Sequence, residues 1–314
     1  MRCAYVGTLG GDGLVVADVV DGRWSTARAL PEVAEPSWVV GGGGVTYVVN
    51  ERRAGAVTAL DTTNPEKPVV LQERETGGLQ PTHATTFAGH LVVAHYLDGT
   101  VGAHPLGPDG AIGPRSTGVR HGGARPHAHQ VVADPSGRWL VAVDLGADAV
   151  LTHRFDGWEL VEHARFAVAP GLGPRHLAFH GTRAYVLGEE RPELVALDWD
   201  PAGGTFTEAW THALPPGNHP GEIALSPDGR LAYLTLRGDN TIAVVDLHAR
   251  TTLQQAPAGG DWPRHCLLLD DGQLLVANQR SGTVTRLAVD TAGLLGRAET
   301  VLRAAGASVL HLPG

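Results

Sequence analysis

Side chains able to move protons or hold anions recur at two kinds of place along this chain. His83, His127, His129, His176 and His265, with Arg175 and Arg264, follow closely behind prolines. Glu51, Tyr96, Glu189 and Arg237 end short apolar runs. Imidazole titrates near ~6.5, so it can take or give a proton at neutral pH. A guanidinium offers a planar fork to a carboxylate or phosphate. With a carboxylate beside them, these groups make up the set needed for general acid–base chemistry on an anionic substrate. A single such histidine can be structural, bonding its neighbouring strand. As a set they differ in type from repeat to repeat, whereas purely structural repeats would reuse one residue. His127-x-His129 would share a face of a regular strand and could take zinc with a third ligand. No third ligand stands at a suitable spacing, and adjacent Glu189 and Glu190 would diverge. No Gly-x-Ser-x-Gly nucleophile elbow occurs, and the Gly41–Gly44 run reads as a hairpin turn. Neither a metal nor a cofactor is expected.

The elements that must position these residues repeat. Pro36-Ser37-Trp38, Pro81-Thr82-His83, Pro126-His127-Ala128, Pro174-Arg175-His176, Pro220-Gly221-Glu222 and Pro263-Arg264-His265 are spaced by 45, 45, 48, 46 and 43 residues. A period near 45 fits one four-stranded propeller blade. Residues 36–76 show the unit: Ser37–Val40, then Val45–Val49, then Gly55–Leu60, then a run from Pro68 to Gln72. Turns such as Asp134-Pro135-Ser136-Gly137 and Ser226-Pro227-Asp228-Gly229 supply tight hairpin geometry. The first 35 residues add about three strands, and residues 298–312 one or two more. The expected fold is all-β: a seven-bladed β-propeller of four antiparallel strands per blade, one domain over residues 1–314, its ring closed by N- and C-terminal strands. In an antiparallel sheet the second strand returns to where the first began. Each proline landmark should therefore meet a second-strand end, placing the chemical residues on one rim.

The 42 glycines and 21 prolines fall at turns, and no long amphipathic helical pattern accompanies them. The net charge of −9, with scattered Lys and Arg, leaves no footprint for nucleic acid. No apolar run is long enough to span a membrane, and the N-terminus has no signal-peptide pattern. Cys3 and Cys266 lie in separate strand-like runs and read as buried thiols of a reducing, cytoplasmic compartment. The expected partner is a small anionic molecule, the expected state a monomer or small homo-oligomer.

Tyr5-Val6-Gly7-Thr8, Pro126-His127-Ala128-His129 with Asp144-Leu145-Gly146, Gly173-Pro174-Arg175-His176 with Glu189, Ser226-Pro227-Asp228-Gly229-Arg230 through Arg237, and Pro263-Arg264 with Ala277-Asn278-Gln279 resemble, in order, the lactonase family of seven-bladed propellers. That family includes propeller-type 6-phosphogluconolactonases and carboxymuconate-lactonizing enzymes. The resemblance implies His127, Arg175, Glu189 and Arg237 as catalytic residues. His83, His129, His176, Arg264, Tyr96 and Glu51 would line the substrate. Gly188 and Leu236 depart from the family's usual Asn, and Glu190 adds a carboxylate. The leading expectation is hydrolysis of an anionic sugar-type lactone by acid–base-assisted attack of water, with an arginine clamp. His127 and Glu189 are alternatives for base and acid. A lactonizing, cyclase or isomerase reaction on an unsaturated acid is the second reading, and a non-enzymatic binding platform the third.

Overall fold

Every strand that follows a landmark proline opens a sheet. A computed structural model describes residues 2–42 and 44–313; Gly43, inside the run read as a hairpin turn, lies outside them. Among the described residues there are 28 strands and no helix, and the strands form seven four-stranded sheets, a seven-bladed β-propeller. Six sheets take their strands in sequence order. The remaining one runs Ala307–His311, Arg2–Thr8, Leu14–Val20, Arg23–Leu30, so the two ends of the chain share a blade as expected. The tail supplies two strands: Glu299–Arg303 completes the sheet begun at Pro263, and Ala307–His311 pairs with Arg2–Thr8. The outer strand expected to start within Pro68–Gln72 runs over Val69–Leu79.

Packing divides the chain into two compact units. One comprises Met1–Pro36, Pro192–Leu194 and His212–Leu312; the other Ser37–Arg191 and Val195–Thr211. In both, the second strands carry the core. Leu140–Asp144 is buried at every position, as its unbroken apolar run requires of a strand covered on both faces. Asp134 builds the turn before it, accepting from the N–H groups of Ser136, Arg138 and Trp139. Cys3 and Cys266 are buried and free.

The sheets share a device at the start of the first strand. The register slips between Pro81 and His83, Ala128 and Gln130, Pro174 and His176, Pro220 and Ile223, and Pro263 and His265. Such bulges re-aim the side chains around them. The residue before the proline is left-handed at Glu35 (φ 49°), Gln80 (φ 52°), Gly173 (φ 59°) and Trp262 (φ 63°). For a non-glycine residue this costs about 1–3 kcal/mol, so the surroundings must over-determine it. They do so through one repeated bond. The N–H just after the second strand donates to that residue's carbonyl: Tyr96 to Gln80 (2.9 Å), Glu189 to Gly173 (2.8 Å), Gln279 to Trp262 (3.0 Å). In those sheets the landmark and the second-strand end do meet.

Removing residues 1–12 deletes Arg2–Thr8, which pairs with both Leu14–Val20 and Ala307–His311 and whose Gly7 carbonyl accepts from Ser308 Oγ (3.0 Å). The truncated chain is expected to lose cooperative unfolding. Urea titration followed by circular dichroism checks this; a single transition with an unchanged midpoint would contradict it.

Candidate active site

His127 is held from several sides within the unit that contains Ser37–Arg191. Its imidazole stacks on Tyr96 with centroids 4.5 Å apart and planes 12° from parallel. Its Nδ1 lies 2.6 Å from the Tyr96 carbonyl. A carbonyl can only accept, so Nδ1 carries the proton and Nε2 carries the lone pair. The His127 N–H donates to Asp144 Oδ1 (2.7 Å), and its carbonyl accepts from Leu145 N (2.9 Å). The ring edge rests on Gly146, where an added Cβ would come within 2.6 Å of His127 Cδ2 and 1.9 Å of the Arg125 carbonyl. No residue but glycine fits there.

Asp144 ends the second strand and has no exposure to water. Besides His127 N, its Oδ1 accepts from Ala147 N (2.8 Å), and its Oδ2 receives the Nδ1–H of buried His121 (2.7 Å). His153 stacks on His121 at 5.3 Å. Burial, and then His121 itself, pull the His153 pKa down to about 3.

The register slips between Ala128 and Gln130, so the regular strand on which His127 and His129 would share a face is interrupted here, although both rings pack on Tyr96, at 4.5 and 6.0 Å. His129 is buried and receives Arg175 Nη1 at its Nε2 (2.7 Å). Arginine only donates, so His129 is neutral with its Nε2 lone pair occupied. The same Nη1 donates to Glu189 Oε2 (2.7 Å), a pair whose side chains are only 6% and 19% exposed. Glu189 stands after Gly188, held by its own N–H on the Gly173 carbonyl. Tyr96 feels the charges of this group. Burial, then Glu189 and Glu190, raise its phenol pKa above 10, Glu51 adds to the rise, and Arg175 opposes it. Glu51 accepts from Gln80 Nε2 (3.1 Å). His83 and His176 are buried deeper in the first strands, packed with Trp38: His83 stacks on the indole at 3.9 Å and His176 meets it edge-on at 5.7 Å.

A cavity of about 590 Å³ opens beside His127, lined by Tyr96, Arg125, Gly146, Asp148, Gly173 and Glu190 among others. Sequence reasoning passed over Arg125, although it directly precedes a landmark proline, and over Trp38, which occupies the histidine's place in the first landmark. It also missed His121, which no repeat position marks.

Arg237 and Arg264 belong to the other unit. Arg237 is buried and donates from Nε to the His219 carbonyl (2.6 Å) and from Nη2 to the Pro220 carbonyl (3.0 Å). Arg264 is half-buried at the start of Pro263–Leu269, and next to it His265 Nε2 lies 3.6 Å from Glu222 Oε2.

A family model described as lactonase, 7-bladed beta-propeller, matches residues 4–311. The 6-phosphogluconolactonase of Bacillus subtilis is 27% identical over 310 residues, 89% of each chain. Among solved structures, the periplasmic gluconolactonase of Pseudomonas aeruginosa aligns at a TM-score of 0.91 and 25% identity, over 100% of this chain and 99% of that one. A Lactobacillus plantarum protein gives the same TM-score at 23% identity, with the same coverage.

Two stability outcomes follow from this geometry. Asp144→Ala strands three donors, that of His121 fully buried, and is expected to lose about 3–5 kcal/mol, the range for removing one partner of a buried charged pair. His163→Ala, at an exposed outer-strand histidine that bonds the Gly203 carbonyl, should lose little. Equal urea midpoints for the two variants would contradict this. His153 is neutral when folded, while its unfolded pKa is near ~6.5. Above that pH its contribution is complete. As pH falls from about 6.5 toward 3, the unfolded chain binds a proton that the folded chain refuses, and stability drops by about 1.4 kcal/mol per unit. His95, lowered by burial to about 4, steepens the upper part of that fall. His153→Leu should therefore show a smaller shift in urea midpoint between pH 7 and pH 5 than the parent; an identical shift would argue against the assignment.

Proposed function

Because the chain belongs to the lactonase family of seven-bladed β-propellers, we propose that it hydrolyses the ester bond of a sugar-type lactone with His127 as general base. The phosphorylated class is suggested by the name of the Bacillus subtilis relative, a 6-phosphogluconolactonase. The observation that carries the reading is the 2.6 Å bond from His127 Nδ1–H to the Tyr96 carbonyl, which leaves Nε2 as a fixed lone pair beside the cavity. Glu189 is the weaker candidate for the base, since its carboxylate is held by Arg175.

In this reading His127 Nε2 takes a proton from water as the water oxygen bonds to the lactone carbonyl carbon. The carbonyl π pair moves onto oxygen, and N–H donors of Arg175 offset the charge that develops there. Collapse of the tetrahedral intermediate breaks the ring C–O bond. The departing alkoxide then takes the proton from the His127 imidazolium, giving the open hydroxy acid. Glu189 and His129 keep the Arg175 guanidinium in one plane, so little reorganisation accompanies the change in charge.

Turnover of 6-phosphogluconolactone, measured above its spontaneous hydrolysis, tests the assignment. His127→Ala should lower kcat by about 100- to 10,000-fold, the range for a positioned proton-transfer group. Glu189→Gln should fall by less. Arg175→Lys should be poorly tolerated, because lysine keeps the charge but loses the planar guanidinium with its further N–H donors. His163→Ala should be near normal. A larger loss in Glu189→Gln than in His127→Ala would move the base to Glu189. Absence of turnover in the parent protein would remove the hydrolase reading.

A further inference from the structure

We propose that Arg125 sets the substrate specificity of the cavity beside His127 by binding an oxyanion group, phosphate or carboxylate, carried on the sugar-type lactone. The residues concerned all belong to the unit that contains Ser37–Arg191. Arg125 lines the cavity together with His127, Tyr96, Asp148 and Glu190, and among the described residues it is the one cation of that lining. Its side chain is exposed and makes no hydrogen bond and no ion pair among the described residues. The two carboxylates of the lining are not its partners: Asp148 accepts from Gly171 N and Gly173 N, and Glu190 is exposed without an ion pair. Carboxylates on a wall repel an anion, so an anionic group entering this cavity is drawn to Arg125. Its guanidinium keeps the whole N–H fork for two parallel bonds to an oxyanion.

The chain around Arg125 is built to present it. Residues 121–127 form a loop closed at both ends by one buried carboxylate. Asp144 Oδ2 receives the Nδ1–H of His121 (2.7 Å), and Asp144 Oδ1 receives the N–H of His127 (2.7 Å). His121 N also donates to the Gly99 carbonyl (2.9 Å), and the Gly122 carbonyl accepts from Arg165 Nη1 (3.1 Å). Next to Arg125, Pro126 packs on Gly99, where an added Cβ would come within 2.4 Å of Pro126 Cβ. The Arg125 carbonyl itself rests on Gly146. Of the side chains in this loop, only that of Arg125 is both charged and exposed. A loop tied down before the ligand arrives has little freedom left to lose, so binding orders the arginine side chain alone. Two residues of chain carry Arg125 from His127, a reach of at most about 7 Å. A sugar ring is of that size, so a lactone whose carbonyl carbon faces His127 Nε2 rests an acidic substituent on Arg125.

The lactone as ligand rests on the hydrolase reading; the preference for an anionic sugar does not. The first test is therefore calorimetric titration of the full-length protein with glucose 6-phosphate, glucuronate and glucose, which carry a phosphate, a carboxylate and a neutral hydroxyl on the same carbon. At least one of the charged sugars should bind more tightly than glucose, and the tighter of the two names the group. Arg125→Ala should weaken that sugar by about tenfold or more, the loss of a bidentate charged contact, and leave glucose unchanged. Arg125→Lys should fall between parent and alanine variant, since an ammonium keeps the charge without the fork. Thermal midpoints of both variants should stay close to the parent's, because the side chain is exposed. Charged sugars that bind no better than glucose, or that bind Arg125→Ala as well as the parent, overturn the proposal. Kinetics then separate it from the hydrolase reading. Arg125→Ala should raise KM for the lactone that carries the preferred group, 6-phosphogluconolactone or glucarolactone, at nearly unchanged kcat, and leave glucono-δ-lactone unaffected. An unchanged KM removes the specificity role while hydrolysis stands. Absence of turnover with the binding preference intact removes the lactone and leaves the anion site.

Discussion

Asp144 is a carboxylate with no access to water, and a charge in that position persists only where donors replace its hydration. Three do so: the N–H of His127, the N–H of Ala147 and the Nδ1–H of His121. Each comes from a different stretch of chain. The first opens the first strand, the second turns the chain into the third strand, and the third lies in the segment that precedes the sheet. Satisfying one buried anion therefore fixes three backbones at once, and the backbone of His127 is one of them. Tyr96 and Gly146 then fix the ring. The candidate base is held by a chain of obligations that starts in the core and ends at the cavity.

The same strand position elsewhere shows how a repeat is specialised. Asn50 accepts from Thr58 Oγ1 (2.8 Å), His95 Nδ1 meets Thr100 (3.1 Å), and Asn278 Nδ2 donates to Thr285 Oγ1 (3.0 Å). In each case a buried polar side chain ties the end of the second strand to the third. Gly188 occupies this position without a side chain, and a Cβ there would lie 2.5 Å from Leu172 Cδ1 and from the Arg191 carbonyl. The space goes to the 171–173 loop, which Asp148 clamps by accepting from Gly171 N (2.8 Å) and Gly173 N (2.9 Å). That loop in turn receives the N–H groups of Glu189, Glu190 and Arg191. The departure at Gly188 thus replaces a side-chain tie with a folded-in loop, and backbone bonds to that loop hold the start of the turn that carries Glu189.

The period of the proline landmarks carried the fold, because a blade is a local unit whose turns and strands must recur wherever the same sheet is built. The pairing of the chain ends was legible for the same reason: three strands at the start and a short tail leave one blade incomplete from each side. Side-chain direction was less legible. Strand periodicity assumes even register, and the bulge between Ala128 and Gln130 breaks that assumption where it matters. Partners far apart in sequence were also beyond reach. His121 sits 23 residues from Asp144, and nothing in the local pattern marks it as a donor. Trp262 hides for a different reason: a left-handed tryptophan before proline runs against local propensity, and only tertiary bonds sustain it.

The two histidines on either side of that bulge show what it decides. His127 and His129 lie two residues apart and carry the proton on the same nitrogen, Nδ1. On a regular strand they would present equivalent Nε2 lone pairs to one face. In this sheet the His129 lone pair accepts from Arg175, whose N–H occupies it, while His127 lines the cavity. Protonating His129 would expel a guanidinium that also holds Glu189. Protonating His127 disturbs no bond, since Nδ1–H still faces the Tyr96 carbonyl and the new proton points away from it. Of two identical side chains, one is committed as an acceptor, and the other is the one we propose as the proton carrier.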